Sequence, residues 1–319
     1  MKRRTKKISP YRQPAWAPLT RLGRAGSWGR GRAGSWRALA ACLLLVLAMT
    51  QGAAHLLAGE RHATAKAEPV SHQVEKIPAA FQVPAEKSSS GEDHVRFTSG
   101  MLAIVIDDIG HNLERLQELL ALDATLNYAV LPDIPKADQA ARMIQDAGQE
   151  YLIHLPMEPE DYPNKNPGPY PLLLSLGLTE TRNRLGQYLE RLPGAVGASN
   201  HMGSAYSANP IHMKLVQDML ARRGKFFLNS KTAPTTVPRK IAGHYQYDYL
   251  ERDVFLDHDP SKASIARQLA VSIRKAKRTG QAIAIGHPYD STLYVLRKYL
   301  PRLKAAGITL VTLSTLVGR

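Results

Sequence analysis

Two adjacent aspartates, Asp107 and Asp108, follow the apolar run "LAIVI", and a histidine follows each of three later apolar runs. These are His154 in "HLPMEP", His201 in "SNHMGS" and His287 in "GHPYD". A catalytic zinc commonly takes three protein ligands, such as one carboxylate and two imidazoles, and keeps a fourth position for water. A second carboxylate beside the cation can take a proton from the coordinated water. The aspartate pair is therefore interpreted as one metal ligand and one general base.

Further polar residues share these positions after apolar runs: Glu158, Asn200, Ser204, Ser230 and Asp257. Structural roles are the alternative for each group. The aspartates could cap the following helix, His154 could be a hydrogen-bonded strand-end residue, and His287 could shape a turn. Asp257 and Asp259 could cap a helix that begins at Pro260. The concentration of all these side chains after apolar runs favours a divalent metal site instead.

Short apolar runs alternate with amphipathic segments from residue 101 to the end of the chain. The runs predict eight strands, at residues 101–106, 126–131, 151–155, 195–199, 225–229, 253–256, 281–285 and 308–311. The alternation predicts a parallel α/β fold, most simply a (β/α) barrel of seven or eight units, with an open doubly wound sheet as the alternative. Because the carboxyl ends of parallel strands meet on one face, the polar residues are expected together there.

The amphipathic segments carry signals for where helices begin and end. One helix is expected from Asn209-Pro210 to Gly224, and another from Asp259-Pro260 to Gly280. The last helix is expected to continue from Leu293 to Leu303 despite Pro301.

Positive charge is concentrated at the N-terminus of the chain. The formal net charge is +15, but residues 1–37 hold eleven basic residues and no acidic one, which leaves 15 − 11 = +4 for the rest. This tail leads into an apolar segment, residues 38–58, that predicts a signal peptide or membrane anchor. Residues 59–98 predict a flexible linker, and residues 99–319 predict one domain. The positive-inside rule predicts export, with the domain periplasmic or anchored to the inner membrane facing the periplasm.

Several classes of function are disfavoured by what the predicted domain lacks. The single cysteine, Cys42, lies in the apolar segment, so the domain has no thiolate nucleophile, disulfide or cysteine metal site. The absence of a glycine-rich phosphate loop, a Walker motif and a G-x-S-x-G elbow argues against nucleotide binding and serine-hydrolase chemistry. Nucleic acid is not expected as a partner, because the excess basic charge belongs to the tail.

Five motifs over residues 101–319 resemble those of the divergent polysaccharide deacetylases. In order they are "IVIDDIG", "LIHLPMEP", "SNHMGS", "FFLNSKT" and "AIGHP", and together they cover the whole predicted domain. Members of that family are exported bacterial proteins related to metal-dependent carbohydrate deacetylases. The resemblance therefore implies an α/β fold that is a distorted (β/α) barrel.

The resemblance also implies individual roles. In the related enzymes the first aspartate of the pair is the base and the second binds metal, which assigns Asp107 as base and Asp108 as ligand. Those enzymes draw two more ligands from a His-x3-His motif after the third strand, whereas here His154 is followed four residues later by Glu158. Either His201 supplies the missing imidazole or Glu158 replaces it.

The implied reaction is hydrolysis of an acetyl group on an envelope polysaccharide or peptidoglycan-type glycan, with a divalent metal, most simply zinc. His287 corresponds to the late histidine that protonates the leaving group in the relatives. Tyr162 and Tyr170 lie in a proline-rich loop, residues 160–171, and are predicted to stack on sugar rings beneath a lid. The departure at Glu158 favours the alternative, a catalytically inactive glycan-binding or scaffold domain of the cell envelope.

Overall fold

A parallel sheet of nine strands runs through residues 99–317, the part of the chain that the computed structural model describes. The strands are β1 (Gly100–Ile109), β2 (Asn127–Val130), β3 (Glu150–Met157), β4 (Gly197–Met202), β5 (Phe226–Asn229), β6 (Tyr249–Glu251), β7 (Val254–Phe255), β8 (Gln281–Gly286) and β9 (Ile308–Leu310). The α-helices are α1 (Leu113–Leu120), α2 (Ala137–Asp146), α3 (Leu178–Arg191), α4 (Pro210–Ala221), α5 (Val237–Tyr245), α6 (Lys262–Thr279) and α7 (Asp290–Tyr299).

Hydrogen-bonded neighbours in the sheet follow the order β6-β5-β4-β3-β2-β1-β8-β7. Written as a circle, this is the order of the strands along the chain, which is the arrangement of a (β/α) barrel. Within residues 99–317 no ladder joins β6 to β7, so the barrel is open at that seam. The predicted distorted barrel is confirmed, and the strand order excludes the doubly wound alternative.

All eight predicted strands are present, and the structure adds one that the sequence pattern missed. The added strand, β6, has three residues, of which only Leu250 is buried. Asp248 precedes this strand, and Glu251 and Arg252 end it, so it does not stand out as an apolar run of the kind that predicts the other strands. The strand predicted at 253–256 contracts to the two residues of β7.

Two predicted helix ends are corrected. The helix expected from Asp259-Pro260 begins after Ser261, whose hydroxyl accepts a hydrogen bond from the first turn of α6. Asp259 accepts a hydrogen bond from the Ser261 backbone N–H instead of capping the helix. The last helix ends at Tyr299, and residues 300–302 form a 3₁₀ turn, because Pro301 has no N–H to continue the α-helical ladder.

Side chains of each strand point alternately to the helices and to the barrel interior. In β1, Leu102, Ile104 and Ile106 belong to the large helix-facing core, whereas Ala103 and Val105 belong to the inner one. The inner core also contains side chains of the segment after β9, namely Leu313 and Leu316. This segment is tied to the amino end of β2, where the Asn127 side chain accepts a hydrogen bond from the Leu313 N–H. It therefore fills the interior from the amino-terminal end, which leaves the carboxyl-terminal end for the polar residues.

The predicted basic tail, apolar segment and linker, residues 1–98, lie outside the described residues. Within residues 99–317, no helix combines the length and the apolar character needed to cross a membrane.

Candidate metal centre

Strand alternation carries four polar side chains into the barrel mouth. Two residues beyond an inner-core residue, a strand side chain again points inward. In this way Val105 is followed by Asp107, Leu152 by His154, Leu228 by Ser230 and Ile285 by His287. The shared direction of the strands brings these residues to one end of the barrel, and the period of two points their side chains inward.

Asp108 reaches the same space although alternation would point it outward. Its backbone is left-handed, with φ 56°, a conformation that is uncommon outside glycine and is often associated with functional sites. The pairing of β1 with β2 also changes register between Ile106 and Ile109. This irregularity turns Asp108 so that both neighbouring carboxylates lie in the site.

Asp108, His154 and His201 form a group that could hold a cation. The Asp108 Oδ1 lies 3.3 Å from His154 Nε2 and 2.8 Å from His201 Nδ1. One ligand atom from each residue can be chosen so that all three lie within 4.8 Å of one another. The structure thus brings together the two imidazoles and the carboxylate that the sequence proposed as ligands.

The chemistry of this group fits a divalent cation. Asp108 Oδ1 is buried, and its close polar neighbours are the two imidazole nitrogens, which do not meet it with hydrogen-bond angles; a cation between the three atoms would satisfy all of them. Burial raises the pKa of Asp108, but His154 and His201 outweigh it and hold the pKa well below its usual range. A carboxylate that stays ionised and two imidazole nitrogens are zinc-type ligands, and three protein ligands leave a position open.

A hydrogen bond to Ser199 fixes the orientation of the His154 ring. Its Nδ1 lies 2.8 Å from the hydroxyl oxygen of Ser199, which is completely buried on β4. If Nδ1 carries the proton and donates it to Ser199, the Nε2 lone pair is free to face Asp108 and a cation. Partners of this kind hold ligand histidines in position in many metal sites.

Asp107 is placed beside the group without being part of it. Its Oδ2 lies 3.6 Å from His154 Nε2, and its Oδ1 is buried without a hydrogen-bond partner. Burial raises the pKa of Asp107 above its usual range, and the nearby His154 and His287 oppose this only in part. A carboxylate with a raised pKa is a stronger proton acceptor, as a general base requires.

His287 is held against the other side of the group by Asp257. Its Nδ1 lies 2.9 Å from Asp257 Oδ1, and its Nε2 lies 3.8 Å from Asp108 Oδ2. Asp257 Oδ2 also accepts hydrogen bonds from the His287 N–H at 2.6 Å and the Thr292 hydroxyl at 2.8 Å. Burial lowers the pKa of His287, but Asp257, Asp107 and Asp108 outweigh it and raise the pKa to about 9. Without a bound cation nearby, His287 is therefore protonated at neutral pH and can donate a proton.

Asp257 therefore does not cap α6, which was the alternative role considered for it; it accepts hydrogen bonds from His287 and Thr292 instead. The helix cap considered for the aspartate pair is supplied by Asn112, whose side chain accepts a hydrogen bond from the Arg115 N–H at 2.9 Å.

Three of the other predicted site residues make structural contacts. Glu158 lies outside the group, and its carboxylate accepts a hydrogen bond from the Leu174 N–H at 2.6 Å. The Ser204 hydroxyl accepts a hydrogen bond from the Glu160 N–H at 2.9 Å. The Asn200 side chain joins the ends of β4 and β5, because it accepts from the Ser230 N–H and donates to the Met202 carbonyl. The Ser230 hydroxyl itself is buried without a partner.

The loop that carries Tyr162 and Tyr170 is fixed at its second half. The Tyr170 N–H donates to Asp133, and the Tyr170 carbonyl accepts from the Tyr188 hydroxyl. The Tyr170 side chain is nevertheless 62% exposed. Tyr170 is therefore a fixed and accessible ring, and the stacking role of both tyrosines stays a prediction.

Sequence reasoning missed Arg252, which follows β6. Its guanidinium donates to the Ser230 carbonyl at 2.6 Å and to the Lys231 carbonyl at 3.1 Å, and it packs on the Phe255 ring. The negative charge of Asp107 acts on it across the barrel mouth and opposes the lowering of the Arg252 pKa by burial. Arg252 bridges the open seam of the barrel, and recognition of β6 would have placed it among the strand-end residues.

Comparisons with known proteins find relatives for this chain in sequence. The sequence profile of the divergent polysaccharide deacetylase family matches residues 104–317. The uncharacterized protein YibQ of Escherichia coli (strain K12) is 36% identical over 222 residues, which are 69% of this chain and 68% of that protein. An uncharacterized protein of Haemophilus influenzae is 34% identical over 207 residues, or 65% of this chain and 73% of that protein.

A solved structure resembles the barrel as well. The crystal structure of the uncharacterized protein ATU2773 from Agrobacterium tumefaciens C58 superposes with a TM-score of 0.65 at 25% identity. The superposition covers 75% of this chain and 94% of that protein. Because the family profile extends from β1 to the segment after β9 and covers more than half of the chain, including the candidate ligands Asp108, His154 and His201, the chain belongs to the divergent polysaccharide deacetylase family.

Proposed function

We propose that the protein is a metal-dependent hydrolase that removes acetyl groups from an envelope carbohydrate. The observation that carries the proposal is the division of the aspartate pair. Asp108 lies with His154 and His201 as a ligand group, while Asp107 lies beside them with a raised pKa. Opposite the pair, His287 is held as a proton donor by Asp257. A ligand group, a base and an acid are the parts that metal-assisted hydrolysis requires.

Asp108, His154 and His201 would hold the cation, for which zinc fits the two nitrogen ligands and one oxygen ligand. A bound cation would supply Lewis-acid polarisation of the acetyl carbonyl and would make water more acidic. Asp107 accepts the proton of the attacking water at a carboxylate oxygen that no other group occupies. His287 gives its Nε2 proton to the departing nitrogen or oxygen of the sugar, while Asp257 steadies the ring through Nδ1.

The N-terminal sequence supports a place for this reaction. The basic residues 1–37 and the apolar residues 38–58 support export to the periplasm or anchoring in the inner membrane with the domain facing the periplasm. The substrate would then be an envelope polysaccharide or a peptidoglycan-type glycan.

A catalytically inactive glycan-binding domain is the second candidate. It is favoured by Glu158, which stands where the related enzymes have a metal-binding histidine. The Glu158 carboxylate accepts a hydrogen bond from the Leu174 N–H instead of facing the ligand group. In that case the barrel would bind glycan, and the cation would have a structural role only.

Acetate release separates the two candidates. The zinc-loaded full-length protein is incubated with acetylated chitooligosaccharide or peptidoglycan, and acetate and bound metal are measured. Asp107→Asn is expected to retain metal and to lose about 100-fold or more in rate, as for loss of a general base. The control Asp146→Asn changes an exposed carboxylate at the end of α2 and should match wild type. Metal binding without acetate release from any of these substrates would favour the glycan-binding candidate.

A further inference from the structure

We propose that residues 77–84 of this chain, "IPAAFQVP", bind as an added strand along the outer edge of β9 and cover a cavity at the amino-terminal end of the barrel. The segment lies outside the described residues, in the region whose sequence predicts a linker, and the proposal does not depend on the proposed hydrolysis. The cavity has a volume of about 890 Å³ and lies between β9, the α1–β2 loop and the end of α7. Its lining is rich in aliphatic side chains, which include Leu120, Leu122, Leu296, Leu300, Ile308 and Leu310.

The outer edge of β9 offers backbone groups to a further strand. The Gly307 carbonyl accepts a hydrogen bond from β1, and the Val311 N–H donates one to β1. Because the backbone groups of successive residues alternate between the two edges of a strand, those of Ile308 and Leu310 point away from β1. The Ile308 N–H donates to the Leu303 carbonyl, which leaves the Ile308 carbonyl and both backbone groups of Leu310 along the cavity. In the described part of the chain β1 is the one strand that pairs with β9, so this edge is a template for another strand.

The sequence of the segment has the pattern of an edge strand. Apolar side chains occur at every second position, at Ile77, Ala79, Phe81 and Val83. In an extended backbone these four side chains share one face, which would pack on the aliphatic lining of the cavity. Proline has no N–H and is therefore restricted to edge strands, at positions whose N–H side faces solvent. Both prolines of the segment, at 78 and 84, have the same parity, so both can face solvent while the N–H groups of residues 79, 81 and 83 face β9.

The described chain starts beside this edge, which favours the chain's own segment over a second copy. Ser99 and Thr309 line one smaller cavity, and Thr309 also lines the larger one. The connecting residues 85–98 can extend over roughly 45 Å, which allows residues 77–84 to reach β9 of their own barrel. A segment joined by a flexible connection has an effective concentration on the order of millimolar, well above that of a second copy in dilute solution.

Binding of the segment would set how the barrel is held relative to the predicted membrane anchor, residues 38–58. The free chain between anchor and barrel would shorten from residues 59–98 to residues 59–76. For a flexible chain this reduces the mean end-to-end distance from about 35 Å to about 23 Å. Because the segment attaches at the amino-terminal end of the barrel, the mouth with the candidate metal centre would face away from the membrane.

Hydrogen exchange of the full-length protein, measured by mass spectrometry, tests the proposal. In wild type the amides of residues 77–84, and those of the β9 peptide that contains Leu310, should exchange at least about tenfold more slowly than those of residues 59–70. Phe81→Asp should remove this protection at both places, because it would bring a charge into the apolar cavity. Val70→Asp makes a similar change elsewhere in the predicted linker and should leave both patterns as in wild type.

Two neighbouring alanines provide a matched pair of variants. Ala79→Pro removes an N–H that faces β9 and should abolish the protection, whereas Ala80→Pro changes a position with the parity of the native prolines and should keep it. Equal effects of the two variants would overturn the proposal. So would a wild-type segment that exchanges as fast as residues 59–70, or a Leu310 peptide that does not respond to Phe81→Asp, since the segment would then be free or bound elsewhere. Protection that disappears on dilution would assign the edge of β9 to a second copy of the chain and would overturn the proposal as well.

Discussion

Replacement of Asp257 by asparagine tests the arrangement that makes His287 a proton donor. Asp257 is buried, and its two carboxylate oxygens accept hydrogen bonds from His287 Nδ1, the His287 backbone N–H and the Thr292 hydroxyl. Asparagine can keep the two bonds made by Oδ2 only if it turns its amide NH₂ toward His287 Nδ1. The imidazole must then carry its proton on Nε2 and stay neutral, because two donors cannot share one hydrogen bond.

The size of the effect follows from the pKa of His287. That pKa is raised from 6.5 to about 9 mainly because Asp257 and the two nearby aspartates outweigh burial. The difference corresponds to about 3 kcal/mol of unfolding free energy. Because the folded pKa lies above the unfolded one, this stabilisation is complete below pH 6.5 and is lost as the pH rises through about 9. In Asp257→Asn, burial still lowers the pKa, so it should fall by at least one unit and the loss of stability with pH should largely disappear.

Chelator-treated protein is the material for this measurement, because a bound cation would add its own charge beside His287. The pKa of His287 is read from its ring proton by NMR, with His287→Gln to assign the signal, and unfolding in urea is followed at several pH values. Thr292→Val is the matched control, since it removes one hydrogen bond to Asp257 and leaves the contact with Nδ1 in place. It should cost about 1 kcal/mol at every pH and keep the His287 pKa near that of wild type. A His287 pKa that is the same in wild type and Asp257→Asn would refute the reasoning.

Three further predictions concern the ligand group and the barrel. Zinc at a hundred times the wild-type Kd should stabilise wild type and Glu158→Gln against unfolding by about 2.7 kcal/mol. The same zinc concentration should not stabilise His201→Ala, and equal stabilisation of Glu158→Gln and His201→Ala would contradict the assignment of His201 as a ligand. A methyl group at Gly100 would lie 2.5 Å from a backbone carbonyl carbon of α6, so Gly100→Ala should lower Tm and cost about 1–3 kcal/mol. Gly186→Ala, with open space around it in α3, should instead add about 0.5–1 kcal/mol. Asn127→Ala should cost about 1–3 kcal/mol in urea unfolding, because it leaves a buried N–H of the C-terminal segment without a partner, and a change below 0.5 kcal/mol would argue against that role.

Local patterns in the sequence were sufficient for the strands and for the general position of the site. Eight strands were predicted from short apolar runs, and the residues after them meet because parallel strands share a direction. The boundaries that were wrong depended on single interactions, such as the choice of Ser261 over Asp259 as the cap of α6. β6 was missed because charged residues at 248, 251 and 252 interrupt its apolar character, and Arg252 was missed with it.

The arrangement of the side chains within the site was harder to predict from the sequence. A period of two places Asp107 and Asp108 on opposite faces, and only the left-handed backbone at Asp108 brings both inward. That conformation is set by the change in register between β1 and β2, which is a contact between distant segments. The sequence therefore indicated that the pair was unusual without showing how it could share one site.

The choice between Glu158 and His201 as the third ligand also depends on contacts that the local sequence does not show. Glu158 was an alternative ligand because it stands where the related enzymes have the second histidine of a His-x3-His motif, and counting by two from Leu152 also points it into the interior. The strand ends at Met157, however, where the following loop returns and Leu172 pairs with Met157. In the same loop the Leu174 N–H donates a hydrogen bond to the Glu158 carboxylate, which holds it away from the ligand group. His201 stays on β4, opposite Pro156, and keeps the inward direction that Ser199 also has. The ligand set is thus decided by where β3 stops, and that is decided by hydrogen bonds from a loop that follows it in the chain.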